Sequence, residues 1–81
     1  MTKFDFGDGN GPVAAHQHPF GGGWVADTAK VAPTAYVGPN ALVFGNARVS
    51  GDARVGDNAM VYDNARVFGN ALVFGNALVS E

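Results

Sequence analysis

Valine returns at every sixth position from residue 25 to residue 79, and alanine stands four places after each valine from 29 to 77. Between them sit Gly-Asn, Gly-Asp or Asp-Asn, and in the early copies Asp-Thr, Pro-Thr and Pro-Asn. The unit is V-x-[G/D/P]-[N/D/T]-A-x, with nine complete copies from Val25 to Leu78 and a stub from Val79 to Glu81. Repetition this regular constrains the fold before any other feature, because each unit has to pack against its own copies. The unit is too short for a helical hairpin. Asn, Asp and Gly tolerate the left-handed backbone angles that corners require, and the flanking β-branched and aromatic residues favour extended backbone. Each hexad is therefore expected to be a short strand and a corner. Successive hexads wind into a parallel coil, with Val and Ala inside, and no stretch reads as a helix.

This aliphatic-plus-small spacing resembles the hexapeptide-repeat family, and the resemblance covers residues 25–81. It implies a left-handed parallel β-helix of triangular section, a winding opposite to the usual crossover rule, with three hexads to a turn. The expected fold is thus all-β: three triangular coils over 25–81, preceded by an irregular Gly/Pro-rich N-terminal arm over 1–24.

With three hexads to a turn, residues 18 apart stack at about 4.8 Å. The outward positions are the one after Val and the one after Ala. Pairing these within each hexad puts Ala26, Phe44, Tyr62 and Ser80 beside Lys30, Arg48 and Arg66 on one face. A second face takes Ala32, Ser50 and Phe68 with Tyr36, Arg54 and Leu72, and a third takes Gly38, Gly56 and Phe74 with Leu42, Met60 and Leu78. The third face carries no charge, and an exposed apolar stripe marks a contact surface. Because members of the family commonly associate as trimers through such faces, the resemblance implies a homotrimer whose interface is Gly38, Leu42, Gly56, Met60, Phe74 and Leu78. Phe68, Leu72, Phe74 and Leu78 crowd apolar groups onto the last coil, with no Pro, Lys-rich segment or helix after them to protect its backbone edge. That coil is expected to be covered by another copy or another protein. The ladder Lys30, Arg48 and Arg66 is a candidate site for an anion or a partner's carboxylates, although ordinary solubility is the simpler account.

At 81 residues an isolated chain has difficulty burying a sufficient core. There is no cysteine to provide a disulfide or a thiolate metal site, so oligomerisation is the expected remedy. A net charge of −2 speaks against a nucleic-acid binder. No apolar run reaches the length of a signal peptide or a membrane span, so a soluble protein made in the cytoplasm is expected. Enzymes that resemble this fold include acyltransferases and gamma-class carbonic anhydrases, which need a histidine base or three zinc-binding imidazoles. The hexads contain no histidine. A non-enzymatic role is expected. The alternatives are an enzyme of one of those two kinds, or a carbohydrate- or surface-binding module using Phe44, Tyr62 and the basic ladder.

The arm, "MTKFDFGDGNGPVAAHQHPFGGGW", shares nothing with the hexads. Its glycines and prolines oppose regular structure, while Phe4, Phe6, Phe20 and Trp24 are costly to leave in water. Flexible backbone with spaced aromatic anchors suits a segment that orders against something else, so these four are candidate docking residues. Trp24 is expected to cover the first coil, and Phe4 and Phe6 to reach a neighbour. His16 and His18 flank Gln17, and in extended backbone i and i+2 point the same way. Three copies on a threefold axis would bring six imidazoles together, a set suited to iron or another transition metal. Two exposed or hydrogen-bonded histidines are the alternative. His-x-His before a Gly-rich stretch resembles segments of trimeric phage tail spikes and fibres. The layout "GDGNGPVAAHQHPFGGGWVADTA" running into Asn-rich hexads is similar to small hexapeptide-repeat proteins of phages and prophages. That similarity implies a virion component, such as a capsid decoration or tail accessory protein, held by other virion proteins.

Overall fold

The computed structural model describes residues 2–7, 9 and 11–80. Every regular element among them is a strand. The arm contributes β1 (Lys3–Asp5) and β2 (Pro12–Gln17), and Trp24 opens β3 (Trp24–Ala26). Each later hexad then gives one two-residue strand: β4 (Lys30–Val31), β5 (Tyr36–Val37), β6 (Leu42–Val43), β7 (Arg48–Val49), β8 (Arg54–Val55), β9 (Met60–Val61), β10 (Arg66–Val67), β11 (Leu72–Val73) and β12 (Leu78–Val79).

Each strand from β3 onward pairs in parallel with the strand three further along, so Val25 lies beside Val43 and Val43 beside Val61. Three stacks result: a first sheet containing β3, β6, β9 and β12, a second of β4, β7 and β10, and a third of β5, β8 and β11. The chain is a parallel β-solenoid of about three turns. Backbone bonds join coil to coil at ordinary length, as from Lys30 N–H to Ala47 O (3.0 Å) and from Arg48 N–H to Ala65 O (2.9 Å). The valines fill the axis: Val25, Val37, Val43, Val49, Val55 and Val61 are fully buried. Ala35, Ala41, Ala47, Ala53 and Ala59 are equally buried beside the corners, where a larger side chain has no room.

The position of the corner corrects the expected faces. The chain turns after the residue that follows Val, and it resumes extended backbone at the residue after Ala. The residue after Ala therefore shares a sheet with the next valine, not with the preceding one. Leu42, Met60 and Leu78 belong to the first sheet, leading into Phe44, Tyr62 and Ser80. Gly38, Gly56 and Phe74 follow the third sheet's strands, whose leading residues are Tyr36, Arg54 and Leu72. The six residues expected to form one interface are thus split between two sheets, and the third sheet carries Arg54. Lys30, Arg48 and Arg66 do stand in register, on the second sheet with Ala32, Ser50 and Phe68.

The arm also departs from expectation. Residues 3–5 and 12–17 form an antiparallel hairpin, with Phe4 opposite Val13, and β2 pairs antiparallel with β3. The hairpin extends the first sheet to six strands. Its signal was present in the alternation of Phe4 and Phe6 and in the glycines between the two strands.

The corners make a direct prediction. Gly51 and Gly75 both have left-handed backbone, with φ of 68° and 67°. A Cβ at Gly51 would also lie 3.0 Å from the backbone of Gly69 in the next coil, whereas one at Gly75 would meet nothing within 4 Å. Gly75→Ala should lose about 1–2 kcal/mol from the backbone angle alone. Gly51→Ala should lose measurably more, because two stretches of backbone must also part. Urea denaturation of the two variants gives the difference.

Candidate functional site

The features with chemical potential cluster on the first sheet and on the turn that leads into it. Outside the axial core, a second apolar cluster forms where the hairpin lies over this sheet, with Phe6, Ala15, Ala26 and Phe44 buried and Phe4, Val13, Trp24, Leu42, Met60 and Tyr62 packed around them. Phe4 stacks on Trp24 with ring centroids 4.8 Å apart, and Phe6 stacks on Phe44 at 4.9 Å. Phe44 stacks in turn on Tyr62 at 5.3 Å, the planes 9° apart. A column of three rings, Phe6, Phe44 and Tyr62, follows from this. By the 18-residue register the place above Phe44 belongs to Ala26, and Phe6 of the arm supplies the ring that this position lacks.

Phe4, Phe6 and Trp24 are therefore anchors, as their composition implied, but what they dock on is their own first sheet. A neighbouring subunit finds them already occupied. Phe20 differs: it remains about half exposed, edge-on to Tyr36 at 5.2 Å.

The turn between β2 and β3 explains the run Gly21–Gly22–Gly23. It lies along the upper edge of β5, with Gly23 N–H donating to Val37 O and Val37 N–H donating to Phe20 O. A Cβ at Gly23 would fall 2.3 Å from the Gly38 carbonyl oxygen, so only glycine allows this approach. His18 completes the closure. It is the one buried polar residue among those described, and its Nε2–H donates to Ala35 O at 2.7 Å. His16 is exposed and its Nδ1 bonds to Asp27 Oδ1 at 2.7 Å.

The two imidazoles thus have different partners, on different corners of the first coil. They do not converge on one point as their spacing had implied, because β2 ends at Gln17 and the chain turns at His18. Among the described residues no group of three or more His, Cys, Asp or Glu side chains comes together to hold a metal. On the second sheet Lys30, Arg48 and Arg66 are all exposed.

The last coil leaves large apolar side chains in solvent: Phe68 is 67% exposed, Leu72 63%, Leu78 62% and Phe74 47%. Phe74 is the least exposed because its ring lies back over Gly56, where a Cβ would come within 2.6 Å of it. Among the described residues no helix is long and apolar enough to cross a membrane.

These features define a repeat protein of the parallel β-solenoid class, closed by its own arm at two of its three upper edges. The family model described as the YdcK beta solenoid repeat matches residues 41–57, 53–67, 61–73 and 65–81. Together these spans take in half of the chain, and the protein belongs to that family. The arm and the first coil lie outside the match. No curated protein and no solved structure matches the chain.

Two variants separate the roles of the histidines. His18→Ala leaves the Ala35 carbonyl buried without a donor and should lower stability by about 1–3 kcal/mol. His16→Ala removes only an exposed pair, and a loss of about 0–1 kcal/mol is expected. Equal losses in thermal or urea unfolding would contradict this division. Phe6→Ala should cost somewhat less than the about 3–5 kcal/mol of a fully enclosed phenylalanine. It should also speed amide exchange in β2 and β3 ahead of β8, as the hairpin lifts from the sheet.

Proposed function

We propose that the protein is a non-enzymatic structural element that acts as a homotrimer, its prisms packed side by side through the third sheet. One observation carries this reading: Phe68, Leu72, Phe74 and Leu78 stand in water on the last coil. Leu72 and Phe74 stand on the third sheet, and Phe68 stands at the corner leading into it. Gly56 is covered by the Phe74 ring and Gly38 lies beside the Tyr36 ring, so the apolar surface of that sheet is made by Tyr36, Leu72 and Phe74. Around a threefold axis the three apolar patches would cover one another, and Arg54 would sit at the rim. Both histidines take part in closing the arm onto the first coil, which leaves them a structural task in place of a catalytic one.

We place this trimer in a bacteriophage virion, as a capsid decoration or tail accessory protein held by other virion proteins. That setting rests on the likeness of the arm and its Asn-rich hexads to small phage repeat proteins. It is tested by whether peptides of this chain are recovered from purified particles.

Native mass spectrometry tests the assembly. A trimer is expected for the natural sequence, and Leu72→Asp combined with Phe74→Asp should yield a monomer with an unchanged far-UV spectrum, because both side chains point away from the axis. A monomeric natural protein at micromolar concentration would overturn the trimer.

A further inference from the structure

β1 stands at the end of the six-stranded sheet, and only one of its two edges is paired. The register that sets Phe4 opposite Val13 also brings Ala15 opposite Thr2, and there the Ala15 N–H donates to Thr2 O at 2.9 Å. Bonded and non-bonded pairs alternate along an antiparallel ladder. Thr2 and Phe4 therefore bond to β2, and the N–H and C=O groups of Lys3 and Asp5 point to the other edge. Pro12 fits this phase, because it stands opposite Asp5 at a pair that asks for no N–H. Among the described residues no strand takes up the second edge of β1.

That edge looks onto an apolar floor. β2 lies between β1 and β3, and the hairpin folds over the outside of the first sheet with Phe4 on Trp24 and Phe6 on Phe44. The unused edge of β1 thus faces onward, past Phe44 toward the next coil. A groove of about 470 Å³ runs there from Phe6 and Gly7 across Met60 and Tyr62 to Leu78, with Asp63 at its rim. Asp63 supplies the one charge in this lining. It is exposed, and it joins no ion pair among the described residues. The groove is on the side of the prism, so its shape does not depend on what lies beneath the last coil.

We infer that the groove accepts an extended segment of another protein, which adds to β1 as a seventh strand of the first sheet. The segment carries apolar residues at two alternate positions and a lysine or arginine at the next alternate one. The edge selects a peptide, because a main chain brings donors and acceptors at the spacing that Lys3 and Asp5 present. Alternate side chains of a strand share a face, so two of them rest on the Met60 and Tyr62 columns, where only apolar groups gain by burial. A third passes over the corner and meets the unpaired Asp63 carboxylate, which favours a cation. Asp63 is held at that corner with φ of 57°, so the coil fixes where the charge stands. The site goes beyond the proposed trimer and lies on a different sheet, so the two succeed or fail separately.

The peptides Ac-TVTVTKT-NH2 and Ac-TKTVTVT-NH2, which present the pattern in the two strand directions, test the site against the full-length protein by amide NMR. One of them should give saturable shifts centred on Lys3, Asp5, Met60, Tyr62 and Asp63, with slowed exchange of the Lys3 and Asp5 amides. Lys3→Pro removes an edge donor and leaves the bonds to β2 in place, so it should weaken binding about tenfold. Lys3→Ala keeps the N–H and should bind as the natural protein does. Asp63→Asn suits the same left-handed corner and should weaken binding about two- to fivefold; it also serves if Lys3→Pro fails to fold. No saturable shift with either peptide would overturn the inference, as would shifts centred on the second or third sheet, or binding unchanged in Lys3→Pro. Equal binding when glutamate replaces the lysine of the peptide would overturn the assigned charge. Concentration-dependent shifts of the same amides without peptide would give the groove to a second copy of this chain and overturn the partner.

Discussion

The backbone pairing between coils is the interaction on which everything else depends. From β4 onward each strand is only two residues long, and none has a stable existence outside its stack. An amide in one coil donates to a carbonyl 17 residues further on, and the same bond recurs from coil to coil. The corners exist to keep that spacing, and the alanines exist to let the corners come in close. Valine at the axis then gains its burial only because the ladder holds successive valines in line. A stack of this kind always has an upper edge with unpaired backbone, and the arm answers that need on two sheets: β2 lies along β3, and the 18–23 turn lies along β5. The single buried histidine belongs to this closure.

Much of the fold was legible from the repeat, and the reason is physical. A six-residue period with a turn dipeptide, a small residue and a β-branched residue admits few backbones, and both inward positions were assigned correctly. The phase of the faces was not legible. Whether the residue after Ala belongs to the strand before the corner or to the one after it depends on where the chain bends, and periodicity is blind to that. Leu42 and Phe44, which lie on one surface, were therefore assigned to different ones. The difference bears on function, because the face without charge is the first sheet, with Trp24, Leu42, Met60 and Leu78 leading and Ala26, Phe44, Tyr62 and Ser80 following, and not the face that carries Gly38, Gly56 and Phe74.

The arm was harder to read for a different cause. Its glycines suppress every local preference, so its conformation is decided by what it touches. Gly23 shows this clearly: no local rule asks for it, and the nearby Gly38 carbonyl does. Phe6 is the same case at the level of side chains. Its place could have been suspected from the register, since Ala26 interrupts a column that continues as Phe44 and Tyr62, but a missing ring is visible only once the faces are known. His16 and His18 look alike in sequence and differ wholly in the fold, one in solvent and one under the arm.

The three-sheet register also has a consequence for how such a molecule can change in length. All the devices that close the upper coil depend on residues 2–37, and each later coil meets only its neighbours above and below. Duplicating 18 residues inside the hexads would lengthen the prism by one rung, about 4.8 Å, and return every column to its own face. Duplicating six would turn all the following residues by a third of a revolution, setting arginines beneath rings and rings beneath glycines. The gene can therefore grow or shrink this protein in units of one whole coil, and smaller steps in the repeat would disturb the outside of the molecule while leaving its interior untouched.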